Sequence, residues 1–188
     1  MIRLLPVIAL LALVACKEDL LQDTSAMPLT VEAVGHFCQM NLFEHDGPKA
    51  QAHLDGLPQM PLFFSQVRDV VAYQRLPEQS HEILAIWVND MGAEGASWSS
   101  PGTTNWIPAE TAIYVVDSRV VGGMGAPEIV PFSQMAKAEA FVATNGGQVM
   151  RLDEIPDSAV LAPVVLDGNN NDAEFQQRLR ALSRISGE

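Results

Sequence analysis

The sequence predicts an α+β protein made of two similar ββαβ units in one mature body, each with one helix on an antiparallel or mixed sheet. Two ten-residue segments, FSQVRDVVAY (64–73) and FSQMAKAEAF (132–141), share their first three residues, an alanine near the end and a closing aromatic. A β-like run precedes and follows each segment, and a Gly-, Ser- and Pro-rich stretch separates the two sets. The matching order of elements favours an internal duplication, with about 60 residues per unit.

Residues 1–15 have the features of a secretory signal. Arg3 supplies the basic start, and the apolar run that ends at Ala15 is too short to span a membrane. Small and apolar residues stand directly before Cys16, as in a bacterial lipobox, so we predict that Cys16 is acylated; the alternative is an ordinary signal with a chance cysteine. Lys17 replaces the aspartate that often retains lipoproteins at the inner membrane, which favours the outer membrane, although that rule varies between bacteria.

The remaining chain divides into five predicted segments. They are a lipidated N-terminal tether (16–27), the first ββαβ unit (28–91), a linker (92–108), the second ββαβ unit (109–163) and a flexible tail (164–188). In the tail, Phe175, Leu179 and Leu182 recur at i, i+4 and i+7, which predicts a short amphipathic helix. This helix is either loosely docked and solvated or a site for a partner.

The first unit opens with an apolar, β-branched stretch at residues 28–34, which predicts a strand or an extended lead-in. A second β-like run occupies residues 49–54. The helix follows, with Ser65 as its expected N-cap because a serine hydroxyl can accept a hydrogen bond from an unpaired amide of the first turn. The apolar run ILAIWV at 83–88 then predicts a strand.

The second unit repeats this order. Residues 112–117 predict a strand, Ser133 is the expected N-cap of the helix, and Asn145-Gly146 is a typical left-handed helix stop. The run at 148–152 predicts the closing strand.

Composition and motifs limit the possible functions. The net charge of −12 argues against nucleic acid as a partner and suits a periplasmic body that attracts cations or a basic protein. The sequence has no Gly-x-Ser-x-Gly elbow, no His-Glu-x-x-His, no Cys-x-x-Cys and no phosphate-binding loop. A thiol hydrolase that uses Cys38 with a nearby histidine is a weak alternative, so we predict that the protein is not an enzyme.

Cys38 is the most informative residue for function. The chain has two cysteines, so acylation of Cys16 would leave Cys38 without a disulfide partner in an oxidising compartment. If residues 36–40 are extended, His36, Cys38 and Met40 project from one face, because strand side chains alternate. Imidazole, thiolate and thioether are donors that Cu(I) prefers. The alternative is that the cysteine and methionine only fill the core.

Other donors stand elsewhere in the chain. Met124 is flanked by three glycines, so its thioether is expected to be presented on a loop, and Met91 is a second methionine of this type. His45 and His53 remain possible ligands. We expect His45 to be a bystander, because it is out of phase with Cys38 and precedes a predicted turn.

Five segments in this order behind a lipobox resemble the NosL family: GHFCQMNL, GPKAQAHL, PLFFSQVRDVVAYQR, VNDMG and GGMGAPEIVPF. The resemblance implies two ββαβ units and a membrane-anchored periplasmic Cu(I) carrier. This carrier would serve the copper–sulfide centre of nitrous oxide reductase through a membrane transporter. A metal-free scaffold that binds the transporter or the reductase is the alternative.

The family's functional residues carry over onto matching positions. Its Cys-x-Met pair falls on Cys38 and Met40, and its Gly-Met-Gly loop falls on Met124. A histidine ligand is also expected for the family, and the alternation argument makes His36 our choice. The likeness runs from Cys16 to about Pro163, so the tail inherits nothing from it.

Overall fold

The computed structural model describes residues 21–163 apart from Glu78. The predicted signal, Cys16 and the tail with its amphipathic helix therefore lie outside the described residues. The first unit forms a four-stranded antiparallel sheet with strand order β2-β1-β3-β4. Its elements are β1 (Ala50–Leu54), β2 (Leu62–Phe64), α1 (Val67–Arg75), β3 (Ile83–Asn89) and β4 (Trp106–Pro108).

The second unit forms a three-stranded antiparallel sheet with strand order β6-β5-β7. Its elements are β5 (Ile113–Val116), β6 (Val130–Phe132), α2 (Met135–Asn145) and β7 (Gln148–Met150). Short helical segments are also present: 3₁₀ turns at Leu42–Glu44 and Leu152–Glu154, and α3 (Asp157–Val160). The predicted order of strand, strand, helix and strand is confirmed in both units.

The helix starts differ from the prediction. Gln66 and Gln134 occupy the N-cap positions, and neither side chain caps its helix, so the assignment of Ser65 and Ser133 as N-caps was wrong. The Phe-Ser-Gln repeat instead forms the corner between strand and helix, since its phenylalanines end β2 and β6. The Ser133 hydroxyl has another partner, because it donates to the carboxylate of Asp90.

Two other segments also differ. Residues 28–34 do not form a strand: they turn at residues 31–32, and Val34 makes an isolated antiparallel bridge to Asn41. The predicted linker contains β4, which adds a fourth strand to the first sheet. In contrast, α2 does end before Gly146, as predicted. Gly146 has a positive φ of 73°, although its ψ of −167° lies outside the left-handed helical conformation.

The two central strands are buried on both faces. In β1, Ala50, Ala52 and Leu54 contribute to the main core, which also contains residues of α1. In β5, Tyr114 and Val116 join this same core, whereas Ile113 and Val115 pack in a second core beneath α2. Burying each large apolar side chain contributes about 1.5–3 kcal/mol, so β5 is the strand through which the two units stabilise each other.

The turn before β7 offers a test of the fold. Gly147 has a φ of 96°, and a Cβ there would lie 2.6 Å from the backbone oxygen of Val116. Gly56 has a φ of 71° with no atom within 4 Å of such a Cβ. We expect Gly56→Ala to lower the free energy of unfolding by ~1 kcal/mol, the cost of left-handed backbone strain. Gly147→Ala should cost at least ~2 kcal/mol more, because backbone must also move.

Urea denaturation of the mature protein measures both values. Equal losses in the two variants would contradict the close approach of Gly147 to β5.

Candidate metal centre

The segment that carries Cys38 is a tight turn. The Gln39 amide donates to the Gly35 oxygen at 2.8 Å, and the Gly35 amide donates to the Met40 oxygen at 3.0 Å. Gln39 has a φ of 55°, which reverses the chain. The expectation that residues 36–40 are extended was therefore wrong. Strand alternation does not place His36, Cys38 and Met40 on one face, and the turn itself decides where each side chain lies.

Cys38 folds back over Gly35. A Cβ at Gly35 would lie 2.5 Å from the Cys38 Sγ atom and 3.7 Å from the Ser65 amide nitrogen. Only a glycine leaves room for this approach, so Gly35 holds the free, half-buried thiol beside the corner between β2 and α1. Met40, two residues on, is 44% exposed.

His36 lies in an aromatic cluster. Its ring centroid is 5.2 Å from Phe37, 5.6 Å from Phe64 and 5.4 Å from Tyr73. Its backbone amide donates to the Phe63 oxygen at 2.6 Å, which joins the turn to the edge of β2. The imidazole is half-buried on the same turn as Cys38. Its role as a ligand stays a prediction.

The glycine-rich loop holds Met124 at the surface. The Met124 amide donates to the Gln66 Oε1 atom at 2.8 Å, and its side chain is 44% exposed. A Cβ at Gly122 would lie 2.6 Å from the Glu128 Oε2 atom and 2.7 Å from the Gln66 Oε1 atom. The loop backbone therefore packs directly on two buried polar side chains and leaves the thioether free.

His45 contacts this same loop. Its Nδ1 atom is 3.2 Å from the Gly123 oxygen, and a Cβ at Gly123 would lie 2.5 Å from the His45 Cβ atom. A carbonyl oxygen only accepts, so Nδ1 carries the proton and, in the neutral ring, Nε2 keeps a lone pair. That Nε2 atom is buried and has no hydrogen-bond partner in the described part of the chain. No sequence pattern predicts this contact, which spans 78 residues.

The thiol loop and the methionine loop converge on one corner. The Ser65 amide lies beside the position where Cys38 Sγ approaches Gly35, and the next residue, Gln66, binds the Met124 backbone. Both corner residues are buried, at 2% and 1% exposure. The corner between β2 and α1 thus brings together the Cys38 loop of the first unit and the Met124 loop of the second.

Lys49 secures the segment that bears His45. Its Nζ atom donates to the backbone oxygens of His45 at 2.6 Å, Asp46 at 3.2 Å and Gly47 at 2.6 Å. Burial lowers the pKa of Lys49 to about 8, opposed by the negative charges of Glu128, Asp46 and Cys38. The ammonium therefore positions the His45 segment and contributes positive charge near the thiol.

Glu128 lies below the methionine loop and is fully buried. Burial raises its pKa to about 8, although its Oε1 atom accepts the amides of Arg68 and Ile129. Its Oε2 atom has no partner among the described residues and faces Gly122.

The available donors select a soft ion. Within residues 21–163, Glu78 apart, no three histidine, cysteine or carboxylate side chains are grouped to hold a metal. A site with three or more side-chain ligands at this corner therefore needs methionine sulfur, and thiolate with thioether favours Cu(I). Met91 is half-buried against the second core, and His53 is buried with its Nε2 atom 3.0 Å from the Gln51 Oε1 atom.

The fold and the corner define a class of small α+β proteins that present a thiol and thioethers on loops where two ββαβ units meet. This chain belongs to the NosL family, whose profile matches residues 26–160. Across the part of the chain that the structure describes, no helix has the length and apolar character of a membrane span.

Two relatives and one solved structure illustrate the likeness. The copper-binding lipoprotein NosL of Achromobacter cycloclastes is 54% identical over 189 residues, covering 99% of this chain and 97% of the relative. That of Stutzerimonas stutzeri is 30% identical over 161 residues, covering 84% and 80%. The crystal structure of the copper chaperone NosL from Shewanella denitrificans matches with a TM-score of 0.64 at 31% identity, covering 71% of this chain and 96% of that one.

Glu128 predicts a dependence of stability on pH. The carboxyl of Glu128 binds its proton more tightly in the folded protein than in the unfolded chain. The contribution of this proton to the free energy of unfolding is therefore complete below pH 4.5 and is lost as pH rises toward about 8. We expect Glu128→Gln to gain stability relative to the parent across that range, by up to a few kcal/mol or several degrees in Tm. The exposed Glu139→Gln is the matched control. Thermal unfolding from pH 5 to 8 tests this, and a constant Tm difference between Glu128→Gln and the parent would contradict it.

Proposed function

We propose that this protein is a Cu(I) chaperone with Cys38, Met40 and Met124 as ligands. The observation that carries the proposal is the convergence of the Cys38 loop and the Met124 loop on Ser65 and Gln66. These loops come from different units. Gln66 accepts the Met124 amide, and the oxygen of the nearby Phe63 accepts the His36 amide of the Cys38 turn. The sulfur side chains of both loops are left free of structural hydrogen bonds to other side chains among the described residues.

Exposure suits a carrier better than a permanent metal site. Met40 and Met124 are each 44% exposed, and Cys38 is half-buried. Cu(I) accepts two to four soft donors without strict geometry, so a donor from a recipient can join before one of these leaves. The thiolate contributes affinity, and the accessible thioethers provide the route of exchange.

The histidine ligand has two candidates. His36 is the choice from the sequence, and it lies on the same turn as Cys38. His45 is favoured by a specific contact, since its Nδ1 atom is at the Gly123 oxygen and its Nε2 atom is buried without a partner in the described chain. Such a hydrogen bond at one ring nitrogen sets the tautomer that metal-binding histidines use.

The proposed cellular role follows the family resemblance. Acylation of Cys16 would anchor the protein to a membrane in the periplasm, the outer membrane being favoured. The relatives named above as copper-binding lipoproteins support the anchor and the cargo. The ion would pass to a membrane transporter that supplies the copper–sulfide centre of nitrous oxide reductase.

The surface beside the ligands suits direct contact with that transporter. Several apolar side chains near the two loops are exposed: Val34, Phe37, Met40, Phe43, Val121 and Met124. Direct transfer of Cu(I) requires that both proteins contact the ion at once, and an apolar rim excludes water during this step. The partner's docking face is therefore expected to be apolar around its own sulfur or imidazole donors.

The ligand assignment predicts a graded loss of copper affinity. Cys38→Ser should abolish tight Cu(I) binding, because the Cys38 thiolate is removed, whereas Met40→Ala and Met124→Ala should weaken binding. Met135→Ala is the matched control, since Met135 is also 44% exposed but lies on α2. Anaerobic competition with a chromogenic Cu(I) chelator measures all four variants.

Parent-like affinity in Cys38→Ser would overturn the assignment. A parent protein that is copper-free after anaerobic purification and binds none in the titration would favour the metal-free scaffold.

The two histidines can be separated by X-ray absorption on copper-loaded protein. Loss of the nitrogen shell in His36→Ala identifies His36 as the ligand, and loss in His45→Ala identifies His45. The exposed His81→Ala is the control and should keep the parent spectrum. A nitrogen shell that persists in both His36→Ala and His45→Ala would exclude both residues.

A further inference from the structure

The Cys38 turn (residues 35–40) and the Met124 loop (residues 122–125) are here called the copper loops. We propose that residues 22–29, here called the strap, orient the anchored protein so that these copper loops face away from the membrane. The inference rests on the proposed acylation of Cys16. It concerns how this chain meets a lipid surface. Copper binding itself plays no part in it.

The strap is docked along the first sheet. The sequence predicted a polar, poorly patterned tether up to residue 27, but the structure shows specific contacts. The Gln22 Nε2 atom donates to the Leu54 oxygen at 2.8 Å, and the Trp87 Nε1 atom donates to the Thr24 oxygen at 2.8 Å. Backbone and side chain thus both hold this segment in place.

Gln51 of β1 provides the central attachment. Its Oε1 atom accepts the Met27 amide at 2.9 Å, and its Nε2 atom donates to the Met27 oxygen at 2.9 Å. The same Oε1 atom accepts from the Nε2 atom of His53 at 3.0 Å. Gln51 is 0% exposed and His53 is 1% exposed. Releasing the strap would leave buried polar groups unpaired, at a cost of about 1–3 kcal/mol per group.

Apolar contacts secure the far end of the strap. Leu29 is 7% exposed and packs with Ala33 and Leu42, and its amide donates to the Thr103 oxygen at 2.9 Å. The docked segment therefore continues without interruption into the chain that leads to the Cys38 turn.

The strap enters at the end of the sheet opposite the copper loops. Gln22 binds at Leu54, the last residue of β1, and Met27 binds at Gln51, so the strap runs antiparallel to β1. The copper loops lie beyond the other end, where Phe64 pairs with Ala50 and is followed by the Ser65 corner. β1 alone separates the two ends by about 13 Å.

The chain between Cys16 and the strap is short, so the end of the sheet at which the strap begins is held close to the membrane. Five residues lie between Cys16 and Gln22, and the six residue steps span at most about 20 Å when fully extended. A body of the described size is about 35–40 Å across. While the strap stays docked, the Leu54 end is held near the lipid, and the body cannot invert to bring the copper loops to the membrane.

The test uses acylated protein in vesicles of phosphatidylethanolamine and phosphatidylglycerol that contain a headgroup-labelled acceptor lipid. A donor dye is attached through Glu82→Cys or Phe43→Cys in a Cys38→Ser background. Glu82 is exposed, and its oxygen accepts the Asp55 amide at the near end. Phe43 is 52% exposed at the far end. Energy transfer to the lipid should be several-fold stronger from the Glu82 position.

Two further variants test the cause. A flexible Gly-Ser insertion of ~30 residues between positions 20 and 21 leaves the fold intact and should make transfer from the two positions nearly equal. Gln51→Ala, which removes both hydrogen bonds to Met27, should also reduce the difference in energy transfer between the Glu82 and Phe43 positions.

Equal transfer from the two positions at native linker length, or stronger transfer from Phe43, would overturn the proposal. Release of the protein from the vesicles would also overturn it, because Cys16 would then not be the anchor; the mass of the N-terminal peptide reports acylation directly. A chelator titration of parent protein in detergent reads copper binding separately, so failure of the proposed function leaves the orientation result unchanged.

Discussion

The hydrogen bond from the Met124 amide to the buried carboxamide of Gln66 is the interaction on which the arrangement of the site depends. Gln66 starts α1 of the first unit, and Met124 belongs to the second, so this one contact sets the position of one sulfur-bearing loop relative to the other. It can form only because Gly122 has no side chain. The same principle acts on the thiol side, where the missing side chain of Gly35 lets Cys38 Sγ pack against the Gly35 backbone beside the corner. Close backbone approach at glycine therefore assembles a site that neither unit contains alone.

Two buried polar side chains, Lys49 and Glu128, hold the segments next to these two loops, and their burial costs free energy of desolvation. Lys49 ties down the carbonyls of residues 45–47, whereas Glu128 holds the amides that begin α1 and flank β6. Burial shifts the pKa of both groups toward their neutral forms. The negative charges of Glu128, Asp46 and Cys38 oppose this shift at Lys49, and the amides of Arg68 and Ile129, with the charge of Lys49, oppose it at Glu128. Desolvation of such groups costs free energy, which their hydrogen bonds and the neighbouring charges offset. A carrier that must keep soft ligands exposed yet correctly spaced gains from such rigid support.

The polar face of β1 organises both ends of the molecule. Lys49 precedes the strand and binds the His45 segment, while Gln51 and His53 form the seat of the strap. Strand alternation places these three residues on one face and the alanines and Leu54 on the other, against α1. One short strand thus links the apolar core, the segment that bears His45 and the strap. These three alternating polar side chains can be completely buried because each has a hydrogen-bond partner.

The sequence by itself determined the class of fold, the repeated ββαβ order and the bounds of α1, α2, β1, β3, β5 and β7 to within a few residues, because these follow from local hydrophobic pattern and turn residues. It did not place β2, β4 or β6. It also identified the soft donors, since Cys38 has no disulfide partner if Cys16 is acylated and Met124 is flanked by glycines. Only the tertiary structure decided that residues 36–40 turn rather than extend, that the Phe-Ser-Gln repeat is a corner and that the tether is docked. It also brought His45 to Gly123. These features depend on contacts between residues far apart in the chain, such as Gly35 with Ser65 and Gln66 with Met124, and local periodicity carries no information about such contacts.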